Sequence, residues 1–250
     1  MRRLALASLA LAIACSPSTR PTTVTVSRHA LYVTHSAGFR HDVIPLSVQI
    51  LQEIGPRLGG FDVTHTEDAA TMTRDALARY DAVVFFTTGE LPLSAEQKTA
   101  FLDFIRGGKG FIGIHSATDT FYEWPEYGRL IGAYFDGHPW HQRVTVRVED
   151  RQHPASSQWP ASFTIDDEIY QFRSWSRADV HVLLNLDPSS VDLAAPGVNR
   201  ADRDFALAWT RTEGRGRVFY TALGHEAATW RDARVQQHLA GGIRWAMGDQ

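Results

Sequence analysis

The chain counts 250 residues, 44% of them hydrophobic, and its 25 Lys and Arg against 28 Asp and Glu leave a formal charge of −3. Such an apolar fraction is that of a globular protein with a substantial core, and the lack of any Lys/Arg stripe or block excludes an electrostatic footprint for nucleic acid. The single cysteine, Cys15, excludes an internal disulfide and leaves no thiol for catalysis or metal binding in the body of the chain.

Met1-Arg2-Arg3 and the apolar run Leu4 to Ala14 have the basic start and short apolar core of an export signal, too short to span a bilayer as a helix. Cys15 follows Ala12-Ile13-Ala14 directly. That pattern resembles a bacterial lipobox, with Ala12 where Leu is usual, so residues 1–15 read as a leader and Cys15 as a lipidated mature N-terminus. A plain secretory signal cleaved nearby is the alternative. Both readings place the protein outside the cytoplasm, and the first ties it to a membrane through the lipid alone. Residues 16–28, rich in Ser, Thr and Pro, read as a tether, and residues 29–250 as one domain.

"HALYVTH" (29–35) predicts a strand, followed by a helix capped by Asp42, with Leu46, Ile50, Leu51, Ile54 and Leu58 at helical spacing and Gly59-Gly60 as its stop. "FDVTHTE" (61–67) predicts a second strand, and the nearly continuous apolar run "YDAVVFFTTGE" (80–90) a third, covered on both faces. Ser94 and Gln97 form a capping box for a helix ended by Gly107-Gly108, and "KGFIGIH" (109–115) is a fourth strand. Strands and helices alternating at this spacing imply an α/β, flavodoxin-like, doubly wound parallel sheet. Beyond residue 140 the pattern changes to antiparallel additions: "QRVTVRVED" (142–150), "HVLLNLD" (181–187) and two strands around a Gly-rich turn in 204–226. A helix with Val235, Leu239, Ile243 and Ala246 on one face closes the chain.

Ligands of open parallel sheets bind beyond the carboxyl ends of the strands. Three histidines stand there: His35 after "ALYVT", His115 after "GFIGI" and His225 after "VFYTALG". Imidazole serves as a general acid or base, as an oxyanion donor, or as a neutral metal ligand, and the sequence leaves these open. If they are ligands, His35, His115 and His225 would hold a divalent metal such as zinc. Each could equally be a hydrogen-bonded structural residue. Asp119 and Glu168 are the carboxylates expected to orient a ring or complete a metal site, though a helix cap and a solvated loop charge fit them as well. Arg40 and His41 in the loop "HSAGFRHD" and Glu90 at the end of the third strand are expected to touch substrate, with Tyr122 and Trp124 roofing the cleft. His138 and His141 in "GHPWHQ" have a chelating spacing on a helix, but Pro139 argues for a loop.

The blocks "AGFRHD", "GIHSATDTFYEWPEYGRLIGAYFDGHP", "DEIYQF", "GRVFYTALGHE" and "HLAGGIRWAMG" together resemble the ThuA-like (trehalose utilisation) family, in family order from about residue 30 to the C-terminus. The resemblance implies a class I glutamine amidotransferase-like fold and a role in carbohydrate catabolism, with a disaccharide or a 3-keto-glycoside as the small-molecule substrate. Amidotransferases of this fold carry a nucleophilic Cys in a Gly-x-Cys-x-Gly turn, and aligning "GIHSA" with it puts His115 in the place of that Cys, so glutamine hydrolysis is not expected. The implied chemistry is histidine-assisted, or metal-assisted, proton abstraction beside a sugar carbonyl, with His115 as base or ligand, His225 and His35 supporting it and Glu168 orienting. Two alternatives are a non-catalytic carbohydrate-binding module and a hydrolase using Ser116.

Overall fold

The computed structural model describes residues 28–249, so the expected leader, Cys15 and nearly all of the expected tether lie outside the described residues. In chain order the elements are β1 (Arg28–Val33), α1 (Ile44–Ile54), β2 (Phe61–Thr66), α2 (Arg74–Leu77), β3 (Ala82–Phe85), α3 (Ala95–Arg106), β4 (Gly110–Ile114), α4 (Pro125–Ile131), β5 (Tyr134–Phe135), β6 (Trp140–Val148), β7 (Ser162–Ile169), β8 (Phe172–Arg173), β9 (His181–Leu186), β10 (Ala206–Glu213), β11 (Gly216–Thr221), α5 (Ala227–Arg231) and α6 (Ala233–Ala246). Among the described residues no helix is long and apolar enough to cross a membrane.

Nine strands share one sheet in the order β2-β1-β3-β4-β11-β10-β9-β6-β7. The half from β2 to β11 is parallel. From β11 to β7 every pairing is antiparallel. This is the α/β fold of the flavodoxin-like and glutamine amidotransferase-like type. All residues of β3 and β4 are buried, as their unbroken apolar runs require of strands covered on both faces. The chain leaves β1 toward β2 on one side and later fills β3 and β4 on the other. Right-handed crossovers then put α1 and α3 on opposite faces and open a crevice where the order reverses, beyond the carboxyl ends of β1 and β3.

Ser94 and Gln97 make the predicted reciprocal cap of α3. Two local expectations are corrected. Asp42 does not cap α1, because the helix starts one residue later than that needs: Val43 holds the cap position without a side-chain bond, and Pro45 occupies the first turn, where a missing N–H costs nothing. Of the two readings open for Glu168, the solvated loop charge fails: Asp166, Asp167, Glu168 and Ile169 finish β7, the edge strand paired with β6.

Candidate functional site

β4 ends at Ile114, and the next residue, His115, takes a left-handed backbone with φ of 46°. Residues other than glycine rarely adopt that conformation, at a cost of about 1–3 kcal/mol, so the surroundings must hold it. They do so on both sides. The Tyr220 hydroxyl donates to the His115 carbonyl at 2.7 Å, and the Ala222 carbonyl lies 2.7 Å from His115 Nδ1. A carbonyl only accepts, so Nδ1 carries a proton and Nε2 is the atom turned toward the cluster. His115 is fully buried and its Nε2 has no hydrogen-bond partner.

The loop after β11 is fixed by a residue that the sequence did not single out. The Asp167 carboxylate is fully buried and accepts the backbone N–H groups of Gly224 at 2.8 Å, His225 at 3.0 Å and Glu226 at 3.0 Å. Gly224 has a φ of 141°, open to glycine alone, and its carbonyl accepts the Trp230 indole N–H at 2.8 Å. His225 is thereby aimed at the ring of His115, with centroids 5.4 Å apart. His41 turns inward from the loop after β1 and meets both, at 4.9 Å from His115 and 5.2 Å from His225.

Glu168 completes the group from β7. Its Oε2 lies 3.4 Å from His115 Nε2 and 3.2 Å from His225 Nδ1, and its Oε1 lies 3.3 Å from His138 Nδ1. His225 Nδ1 is also buried without a hydrogen-bond partner. One ligand-type atom from each of His41, His115, Glu168 and His225 lies within 4.8 Å of every other. Burial, with the neighbouring charges of His115 and His225, pulls His41 down to about 3, so it is neutral at ordinary pH. Burial pushes the Glu168 carboxyl up, but its contacts with His115 and His225 outweigh that and hold it well below the ordinary carboxylate range. The same Glu168 contact raises His225 against its burial.

Beside this cluster stands a second pair. His141 is the cross-strand partner of Glu168 in the β6/β7 ladder, so both side chains leave the same face. Its Nε2 lies 2.7 Å from Glu226 Oε1, and its half-exposed ring is 5.1 Å from that of His225. At the rim, Phe39 is 65% exposed and packs edge-on against His41 at 4.9 Å; it is the one large hydrophobic side chain standing in solvent among the described residues.

Of the three strand-end histidines, His115 and His225 come together and His35 does not. His35 Nδ1 sits 2.9 Å from the Glu67 carbonyl, in a corner where Arg40 makes a two-pronged ion pair with the Glu67 carboxylate, and His41 takes the place expected for His35. Asp119 is half-buried, which pushes its carboxyl up, and accepts the Tyr122 hydroxyl at 2.6 Å. Trp124 is 7% exposed and stacks within the aromatic core on Phe101, Phe121 and Tyr127 rather than roofing a cleft. Glu90 caps the Glu123 N–H at 3.0 Å. Ser116 is fully buried and closed to a substrate, which weighs against the serine hydrolase alternative. His138 and His141, which Pro139 in "GHPWHQ" argues into a loop, do reach the site; of the residues missed, Glu226 carried a signal in the "GHE" block, whereas Phe39 and Asp167 carried none.

The family model described as ThuA, trehalose utilisation, matches residues 29–246. Among solved structures, the fold is similar to a ThuA-like protein of Bacteroides uniformis, with a TM-score of 0.75 and 25% identity over 93% of this chain and 95% of that one. A ThuA-like protein of Parabacteroides merdae gives a TM-score of 0.70 at 20% identity over 88% and 90% of the two chains. A cytoplasmic protein of Salmonella typhimurium shares the fold at a TM-score of 0.60 and 11% identity, over 87% of this chain and 98% of that one. No curated protein sequence matches the chain significantly.

Proposed function

Because the chain belongs to the ThuA, or trehalose utilisation, family, whose model spans residues 29–246, we propose that it is an enzyme of carbohydrate catabolism acting on a disaccharide or a 3-keto-glycoside. The observation that carries this reading is the convergence of His41, His115, His225 and Glu168 at the carboxyl end of a parallel sheet, beside the carboxylate-oriented His141. A catalytic reading needs a proton acceptor that substrate can reach. His115 is sealed, but His141 is half-exposed, and with Nε2–H given to Glu226 its Nδ1 keeps a free lone pair.

In a 3-keto-glycoside the hydrogen on C2 is acidified by the C3 carbonyl. His141 Nδ1 takes that proton, and the negative charge that develops on the ketone oxygen is met by His225, whose protonated form the Glu168 contact favours. The electron pair then either returns with a proton, giving isomerisation, or forms the C1=C2 bond as the C1–O glycosidic bond breaks. In the second case the proton held by His141 passes to the departing oxygen. The exposed face of Phe39 at the rim suits the apolar face of a pyranose. That same ring would serve a non-catalytic carbohydrate-binding module, which is the second reading. The leader and Cys15 support an extracytoplasmic, lipid-anchored setting.

The test is turnover of 3-keto-trehalose or a 3-keto-glucoside by the purified chain. His141→Ala should lower it by about 100-fold or more with an unchanged thermal melt, the range expected for loss of a general base. Unaltered turnover in His141→Ala and in His225→Ala would end the reading, and binding without turnover in the unaltered protein would favour the module.

A further inference from the structure

We propose that His41, His115, His225 and Glu168 form a binding site for one divalent first-row transition ion such as Zn²⁺, open toward the cleft. The inference deepens the carbohydrate reading of the same cleft and, as chemistry, rests on it, but ion binding is measured without any sugar.

Three observations carry it. First, His115 Nε2 and His225 Nδ1 are buried and lack a hydrogen-bond partner, although each lies within 3.4 Å of Glu168 Oε2. His115 already donates through Nδ1, so its Nε2 and the carboxylate oxygen face each other with no hydrogen bond formed between them, an arrangement that a positive centre held between them would complete. Second, the spacing fits. Donor atoms about 2.0–2.1 Å from a tetrahedral zinc ion stand about 3.3–3.4 Å apart along each edge. The contacts of 3.4 and 3.2 Å match that edge, and the whole set lies within 4.8 Å. Third, the ring of His115 is held from behind by the Ala222 carbonyl, and the second carboxylate oxygen of Glu168 by His138, as metal-binding side chains usually are.

Three imidazoles and one carboxylate favour a borderline ion over Mg²⁺ or Ca²⁺, which prefer all-oxygen shells. Partial exposure of His225 leaves room for an added ligand from the cleft. A bound ion would supply Lewis-acid polarisation of a ketone oxygen.

The experiment is titration of chelator-treated full chain with Zn²⁺ and Co²⁺, read by calorimetry, metal content and melting temperature, and for Co²⁺ by its visible absorption. The expected result is one ion per chain, a higher melting temperature and the intense bands of a four- or five-coordinate site. Glu168→Gln and His225→Ala should each weaken Zn²⁺ binding by about 100-fold, and His35→Ala should leave it unchanged. His225→Ala, at a partly exposed position, and Glu168→Gln, nearly isosteric, keep the test open if a His115 variant fails to fold. Binding of less than one ion overturns the proposal. So does full affinity in Glu168→Gln with loss in Glu226→Gln, which would put the ion on His141, His225 and Glu226 instead. Stoichiometric binding in a protein inert toward keto-sugars would leave the ion site standing and remove only the carbohydrate reading.

Discussion

The Asp167 carboxylate accepts the backbone N–H of His225 at 3.0 Å, and with the neighbouring N–H groups of Gly224 and Glu226 it pins the loop that carries two of the candidate functional side chains. The same carboxylate also accepts the Glu168 N–H at 3.1 Å, so four backbone donors depend on its two oxygens. Asp167→Asn replaces one acceptor oxygen by an NH₂ that faces an N–H, so at least one buried donor is left unpaired, at about 1–3 kcal/mol. The expected outcome is a loss of about 2–3 kcal/mol in denaturant unfolding. Turnover should fall at least tenfold under conditions where the variant remains folded, because His225 and Glu226 lose their placement. An unchanged unfolding midpoint would show that the loop holds itself.

Phe39 is exposed beside His41, and nothing in the fold needs its ring in solvent. If the ring stacks on a sugar, Phe39→Ala should raise KM for a keto-glucoside by about three- to tenfold, the equivalent of the roughly 0.5–1.5 kcal/mol that aromatic contacts supply, with kcat and melting temperature little changed. Steady-state kinetics with a thermal melt separates this from a structural role. A fall in kcat with KM unaltered would contradict it.

The parallel half of the sheet was legible because β3 and β4 are unbroken apolar runs that only a doubly covered strand explains, and the Ser94 and Gln97 cap of α3 is a local feature that needs no tertiary context. β7 was not legible, because Asp166, Asp167 and Glu168 look like a solvated turn, and the burial of Asp167 and Glu168 depends on loops from β11 and β4 that are distant in sequence. The same limit explains the histidines. His115 and His225 follow their strands directly, so topology alone brings them together. His35 and His41 share one loop, and which of them turns inward is decided by contacts of that loop with Glu67 and Thr88 that no periodicity encodes. In sequence His41 reads only as a substrate contact, yet it lies inside the cluster.

Cys15 makes a prediction that depends on sequence alone. If it is acylated after leader cleavage, the protein expressed with its leader in a bacterial host should partition with membranes, incorporate a palmitate analogue and leave the membrane fraction on Cys15→Ala. A diacylated anchor holds far more firmly than one chain, so partial release at high salt is not expected. Recovery of the unaltered protein in the soluble extracytoplasmic fraction would support a plain secretory signal instead.

His238 sits on α6, fully buried, with Nδ1 against the Ala155 carbonyl and no partner for Nε2. Burial is the main cause that pulls it down to about 4, aided by nearby His153 and opposed by the Ala155 bond, so the folded protein keeps this imidazole neutral. The unfolded chain protonates it near the ordinary value of about 6.5. Between these two values the unfolded state binds more protons, so stability rises with pH; equally, it is lost as pH falls from about 6.5 toward 4, by about 1.4 kcal/mol per pH unit. Above about 6.5 this group contributes no slope. Asn at this position can still donate to the Ala155 carbonyl but cannot titrate. His238→Asn should therefore be less stable than the unaltered protein at pH 7 through lost packing, yet show a flatter decline between pH 6.5 and 4.5, smaller by about one proton in urea unfolding. Parallel pH profiles for the two proteins would mean that His238 gains its proton without cost, and that acid sensitivity must be sought elsewhere in the fold.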